Sequence, residues 1–369
     1  MGRYEMHRRG SARAPLWPAA LTAALLLVGF GRERPQASEA DSRRAGRDAE
    51  NPRTDARGRE AAKPSDIPAR GWKDVLLRVY ASISEDRVMA LAAGATYYIL
   101  LAIFPAIAAL VAIYGFFADP GSISNQLSSM QGVLPGGALD VVGDQLKRVA
   151  SQRSGTLSIA VIVGVLVSLW SANAGVKGLF DALNQVYGER EKRGFIKLNL
   201  VTLAFTIGSI GFLIVAMAAV IALPLALNNV ELPGFLAQLA TIVRWPLLLI
   251  AVAIALAFVY RFGPSRTAPQ WRWASWGSVA AAVLWIAASI LFSWYTANFG
   301  SYNKTYGSLG AIVGFMVWIW ISMIVVLLGG ELNAELEHQT RRDTTTNEGK
   351  PMGQRSAYVA DTLGSAESE

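Results

Sequence analysis

"YGSLGAIVGFMVWIWISMIVVLLGGELNAELEH", residues 306–338, runs without charge from Tyr306 to Gly330 and then meets Glu331, Glu335 and His338. The uncharged part exceeds the ~20 residues that a membrane-spanning helix needs. Spacings of four and three put the two glutamates and the histidine on one helical face. Three readings fit that ending: a metal or catalytic site, a polar lock between helices, or the point where a helix leaves the membrane.

Further uncharged runs lie outward from this one, at 88–118, 154–176, 198–230 and 273–303. A sixth, 236–260, is interrupted by Arg244, yet its "WPLLLIAVAIALAFVY" at 245–260 is too apolar and too long for an ordinary loop. Arg244 and Arg261 then read as interfacial anchors at its two ends. Composition agrees, with 53% hydrophobic residues, a mean hydropathy of +0.33 and eleven tryptophans. The sequence therefore predicts an all-α polytopic membrane protein with six core transmembrane helices, near 90–117, 155–177, 199–227, 238–260, 275–299 and 306–330.

Lys and Arg crowd the flank 70–87, the loops 177–197 and 261–272 and the start of the tail, whereas the alternate loops hold few. By the positive-inside rule, both ends of the six-helix core face the cytoplasm. The net charge of +7 then belongs to loops beside anionic lipid, and nucleic acid is not an expected partner. Cysteine is absent, which excludes thiol catalysis, disulfides and thiolate metal sites.

Before the core, "LWPAALTAALLLVGF" at 16–30 follows Arg8, Arg9 and Arg13. It is either an extra, short N-terminal hydrophobic helix or part of an upstream extension. Residues 31–70 lack periodicity and are expected to be disordered, which makes 1–70 a variable extension, 71–340 the membrane domain and 341–369 a disordered cytoplasmic tail. Trp72, Val75, Leu76, Val79 and Ile83, with Lys73 and Arg78 beside them, predict an interfacial helix leading into the first span. In the long 119–153 loop, Leu139, Val142, Leu146 and Val149 predict a second amphipathic helix, on the outer surface.

Several residues stand out as functional candidates. Pro105 lies inside the first span, where a kink is expected, either structural or a hinge lining a cavity. Asn173, Lys177, Asp181 and Asn184 fall within about 80° of arc on one helical face at the end of the second span. Lys177 and Asp181 are spaced to pair at i,i+4. This stripe is either a helix emerging into water or a polar lining that meets an ionic substrate group. The loop "GEREKRG" at 188–194 is suited to anionic head groups. Gly307, Gly310 and Gly314 offer a small-residue face for close helix packing. Glu335 and His338 have the Glu-x-x-His spacing of di-iron bundles, but the other histidine is His7, so no metal site is expected. Pairing of Lys177 with Glu331 or Glu335 is expected instead.

The stretches "AAGATYYILLAIFPAIAAL" at 92–110, "GLFDALNQVYGERE" at 178–191 and "YGSLGAIVGFMVWIWISMIVVLLGGELNAELEH" at 306–338 resemble the YihY/BrkB family of bacterial inner-membrane proteins, over about 72–340. Many members of that family carry a serine where this chain has Ala102. The resemblance implies a multi-pass protein of the bacterial inner membrane, in a family linked to serum resistance and, in a related branch, to export of lipid A precursors. An older ribonuclease BN label on some members finds no support in the residues. Phosphodiester hydrolysis needs clustered histidines and carboxylates to hold metal and activate water.

Together these features predict a transporter or flippase for a lipid or other amphiphilic anion, or alternatively a non-catalytic scaffold for envelope proteins. No enzyme activity and no cofactor are expected, since no nucleotide-binding motif or catalytic set is present. Membrane lipids are the expected partners, with envelope proteins or further copies of the chain beside them.

Overall fold

A computed structural model describes residues 57–117, 159–217, 234–299, 308–346 and 349–366. The segment 16–30, the amphipathic stretch of the 119–153 loop and Gly307 lie outside those residues. Six long helices coincide with the six expected runs: α2 (Val88–Phe117), α3 (Ile159–Val186), α4 (Phe195–Met217), α5 (Gly234–Phe262), α6 (Trp271–Phe299) and α7 (Ser308–His338). They are preceded by α1 (Ala69–Glu85) and followed by the single turn α8 (Tyr358–Asp361). Among the described residues the only β feature is an isolated bridge, Pro269 to Thr345.

The described parts of α3, α4, α6 and α7 are each long and apolar enough to cross a membrane. The bent pair α1 and α2 makes up a fifth candidate, and α5 contributes the apolar stretch Pro246–Phe262. Val163, Leu166, Val167, Ile254 and Leu291 point outward. Outward apolar side chains on long helices suit a surround of lipid, not water.

α7 is the central helix, touching α1, α2, α3, α6 and α8. Around the bundle the packing runs α4, α3, α2, α7, α6, α5, with α4 resting chiefly on α3 and α5 chiefly on α6. Small residues decide where the helices touch. A Cβ on Gly277 of α6 would collide with the Gly329 carbonyl of α7, and one on Gly329 would lie 2.7 Å from Ala281 Cβ. On the other side of the bundle, Gly175 of α3 faces Ala102 of α2 at 3.1 Å and Gly178 faces the Tyr98 ring. The expected small-residue face is different. At Gly314 an added Cβ would meet nothing within 4 Å, so that glycine is not a crossing point, and the surroundings of Gly310 lie outside the described side chains. Spacing marks where helices can approach; which glycines are used depends on how the helices are rotated.

A core of Val88, Ala92, Leu183, Val186, Tyr187, Tyr260, Val325, Leu327 and Ala334 gathers toward one end of the bundle. Polar bonds tie the same helices together. Tyr260 Oη donates to the Val326 carbonyl (2.7 Å), Trp320 Nε1 to the Met89 carbonyl (3.1 Å) and Trp285 Nε1 to Ser322 Oγ (3.0 Å). Such bonds stabilise because, inside a bilayer, the donors have no water to turn to. Asn333 joins α7 to α6 twice, accepting from the Gly277 N–H (2.8 Å) and donating to the Ala274 carbonyl (3.1 Å).

Between α1 and α2 the chain bends by 62°, where Arg87 adopts a left-handed backbone (φ 53°). α2 then runs on through Pro105 without a break.

The tail corrects an expectation. Residues 341–346 and 349–366 do not hang free but fold back over the polar end of the bundle. Arg355 is buried and donates to the carbonyls of Arg341, Arg342, Lys350 and Ala360. The Gln270 N–H donates to the Thr344 carbonyl (2.8 Å), and the Thr346 N–H to the Ala268 carbonyl (3.0 Å). The N-terminal boundary also shifts outward. Arg57 pairs with Asp74 (2.9 Å), and the Arg341 N–H donates to the Arg59 carbonyl (2.8 Å), so residues 57–70 belong to the folded unit. These segments lack an apolar stripe; backbone pairing, buried arginines and scattered apolar contacts through Ala61, Ile67 and Val359 hold them, and hydrophobic periodicity registers none of these.

Candidate functional site

The expected polar stripe on α3 divides into three. Its deepest members, Asn173 and Lys177, face α4. Lys177 Nζ donates to Asn199 Oδ1 (2.6 Å) and lies 5.3 Å from the centre of the Trp170 ring. Asn199 is itself fixed, since its Nδ2 donates to the Phe195 carbonyl (2.7 Å). Asn173 is fully buried; its Oδ1 accepts a long bond from Thr206 (3.4 Å), and its Nδ2 makes no hydrogen bond among the described residues. Thr202 and Thr206, both buried, complete the layer and donate to backbone carbonyls of their own helix. Lys177, half-buried, lies nine residues before the end of α3, about 13 Å back along the helix at 1.5 Å per residue.

Asp181 is not part of this layer. It is exposed and forms no ion pair with Lys177 in the described structure, so the expected i,i+4 pair is corrected: the ammonium turns toward α4 and takes a neutral amide. Asn184, at the mouth, is a structural residue. Its Oδ1 accepts from the Ser265 N–H (2.7 Å) and its Nδ2 donates to Glu191 (3.1 Å), which joins two loops.

The expected pairing of Lys177 with Glu331 or Glu335 is also corrected. Glu335 takes its cation from α1, with Arg78 Nε 2.5 Å from Oε2, while Arg78 Nη2 donates to the Glu335 carbonyl (3.1 Å) and to Gln339 (2.8 Å). His338 Nδ1 lies 3.4 Å from Glu335, and its Nε2 lies 2.7 Å from Thr362 Oγ1 of the tail. Glu335 and His338 are thus engaged by protein groups, and no cluster of three metal-ligating side chains occurs among the described residues. Glu331 is buried between the helices, close enough to Tyr187 to influence that phenol. Of the three readings of the α7 ending, the geometry gives the polar lock.

Residues that spacing did not single out form the centre of that lock. Arg266 and Glu337, both with fully buried side chains, meet through two bonds of 2.6 and 3.1 Å, and Thr344 Oγ1 donates to the same carboxylate (2.7 Å). The Arg266 guanidinium lies 4.4 Å from the centre of the Tyr187 ring. Burial alone would lower the Arg266 pKa, but Glu337 outweighs it and holds the group above its usual value. Burial pushes the Tyr187 phenol well above its usual range. The sequence offers Arg266 as one of three arginines, with Arg261 and Arg272, in the basic 261–272 loop, which says nothing about its partner.

The basic loop 188–194 is largely neutralised from within. Lys192 pairs with Glu189 (2.6 Å), and Arg193 pairs with Glu191 (2.8 Å) while donating to the Gly263 carbonyl (2.6 Å). Burial opposes ionisation of Glu191, but its bonds from Arg193 and Asn184 prevail and hold its pKa at about 2. Lys192 and Arg193 thus serve the loop's own architecture, while Arg190 and much of the Lys192 side chain remain exposed.

Long apolar helices closed at one end by a polar lock define a multi-pass, all-helical membrane protein. The virulence factor BrkB family matches residues 79–353, and the chain belongs to that family. The match runs into the folded tail. The ribonuclease-like protein YfkH of Bacillus subtilis is 28% identical over 253 residues, covering 66% of this chain and 88% of its own length. The UPF0761 membrane protein NMB0524 of Neisseria meningitidis serogroup B is 29% identical over 265 residues, 70% of this chain and 62% of that protein. A UPF0761 membrane protein of Alkalilimnicola ehrlichii is 26% identical over 270 residues, 71% of this chain and 58% of its own length. The chain therefore spans under two thirds of the length of these last two relatives. No solved structure matches the chain.

Proposed function

We propose that the protein moves a lipid or other amphiphilic anion within or across the bacterial inner membrane, with both ends of the helical core in the cytoplasm. The observation that carries this reading is Lys177. It is an ammonium held inside a helix pair by a neutral amide and an indole face, beside an Asn173 amide with an unused donor. A cation at that depth costs free energy unless an anion shares the site. An anionic head group between α3 and α4, with its chains in the surrounding lipid, supplies that partner. The orientation rests on the gathering of 57–87, 188–194, 263–270, 339–346 and 349–366 at one end, which carries the Lys and Arg excess.

The chain is read as a non-enzyme, because it carries two histidines and no cysteine, and the histidine at the end of α7 is engaged by Glu335 and Thr362. The ribonuclease-like name of the Bacillus relative stays with that relative. A second reading, a scaffold for envelope proteins, draws on α4 and α5, each of which leans mainly on one neighbour and leaves broad apolar faces open.

Complementation of a deletion strain separates the two. The transport reading expects Lys177→Ala and Asn199→Ala to reach the membrane at wild-type levels and fail to complement. Full complementation by both at equal membrane levels contradicts transport and leaves the scaffold.

A further inference from the structure

α1 has two faces with different fates. Val75 is buried in a cluster with Trp273 and Leu336, Asp74 holds Arg57, and Arg78 holds Glu335, so one side of the helix is fastened to the bundle. The other side carries Arg70, Lys73, Leu76, Leu77, Tyr80 and Ala81, all exposed. Tyr80 is 76% exposed and Leu76 56%, more than a water-facing helix gains by displaying such residues. On this face the charged residues are basic up to Glu85 at the very end. The 62° bend at Asp86–Arg87 turns α1 away from the line of α2, as a helix lying along a membrane surface requires. Trp72 of α1 meets the half-exposed Trp276 of α6 at 5.6 Å, placing an aromatic pair at the same level, as at a membrane interface.

We propose that the outer face of α1 docks on the anionic leaflet at the polar end of the bundle, with Leu76, Leu77 and Tyr80 in the acyl boundary and Arg70 and Lys73 against lipid phosphates. Apolar burial supplies the docking and the two cations supply the preference for anionic lipid. The proposal does not depend on transport and stands whether or not Lys177 binds a substrate.

The absence of cysteine makes the test direct, because one introduced cysteine carries one label. The full chain, labelled singly at Leu77→Cys, Tyr80→Cys or the water-facing control Lys63→Cys, is reconstituted into phosphatidylcholine vesicles, either pure or with about a third phosphatidylglycerol. All three positions are exposed, so the substitutions leave packing intact. The expected result is that the labels at 77 and 80 are shielded from acrylamide and quenched by nitroxide-bearing lipid, while the control shows the reverse. Arg70→Gln with Lys73→Gln should weaken docking in the anionic vesicles by about fivefold per charge removed and leave it unchanged in pure phosphatidylcholine. Labels open to acrylamide in both vesicles overturn the proposal. So do labels shielded from both quenchers, which would place a second copy or another protein on this face, and so does a double variant that keeps its anionic preference.

Discussion

Arg266 and Glu337, 71 residues apart in the chain, share two hydrogen bonds with neither side chain exposed, and this pair fastens the α5–α6 loop to the end of α7. Thr344 of the tail bonds the same carboxylate, so loop, helix and tail meet at one charge pair. Removing one partner leaves the other as an isolated buried charge. Glu337→Gln or Arg266→Gln is expected to cost about 3–5 kcal/mol. Tryptophan-monitored thermal unfolding in detergent checks this; a loss under about 1 kcal/mol would place the pair at a wetter surface than the structure shows.

The helix crossing at Gly277 and Gly329 gives a sharper contrast. A methyl group at Gly277 collides with backbone, which cannot swing aside, whereas one at Gly314 meets open space. Gly277→Ala is expected to destabilise by about 1–3 kcal/mol or more, and Gly314→Ala to lie within about 0.5 kcal/mol of wild type. Equal melting temperatures for the two variants would contradict the observed rotation of α7.

The six long helices and the helix α1 were legible because each rests on a long uncharged run or a periodic stripe, but most of the α1 stripe faces the bundle: Val75 is buried, Trp72 and Val79 pack beside it, and Ile83 packs on the main core. Burial against the neighbours was not legible. Asn173, Lys177, Asp181 and Asn184 share an arc in sequence, yet one faces water, one caps loops and two face α4, because an arc of about 80° is wide enough to reach three environments. Asn199 and Glu337 gave no isolated signal, since a single polar residue acquires its role only from the partner the fold brings to it. The folded tail is hidden for a related reason: Arg355 fastens it through carbonyl contacts and Val359 reaches the main core as a single apolar residue, and neither leaves a sequence period.

That tail should open when its clamp is cut. Arg355→Ala leaves carbonyls at 341, 342, 350 and 360 without their common donor, at a cost of about 3 kcal/mol. Limited proteolysis of the reconstituted protein is expected to cleave within 341–364 many times faster, with membrane insertion unchanged. Wild-type resistance in the variant would show that the tail is held elsewhere.

The 188–194 loop carries an acid sensitivity with a definite sign. Its pKa of about 2 lies below the usual glutamate value of 4.5, so Glu191 contributes stability that is present above about pH 4.5 and is lost as pH falls toward 2. Hydrogen exchange of residues 188–194 should therefore quicken through that window, and Glu191→Gln should remove the dependence. An unchanged profile in Glu191→Gln would assign the effect to another carboxylate.

Lys177 is the residue on which the transport account stands, and the most direct measurement is transbilayer movement of a fluorescent anionic phospholipid in proteoliposomes. Wild type is compared with Lys177→Ala, with Asn199→Ala and with the exposed control Asp181→Asn. The account expects wild type to raise the rate above empty vesicles, Lys177→Ala to abolish that gain, Asn199→Ala to lower it about tenfold through loss of a charge-assisted hydrogen bond of ~1.5 kcal/mol, and Asp181→Asn to leave it unchanged. A wild-type gain that survives in Lys177→Ala would contradict a head-group site between α3 and α4.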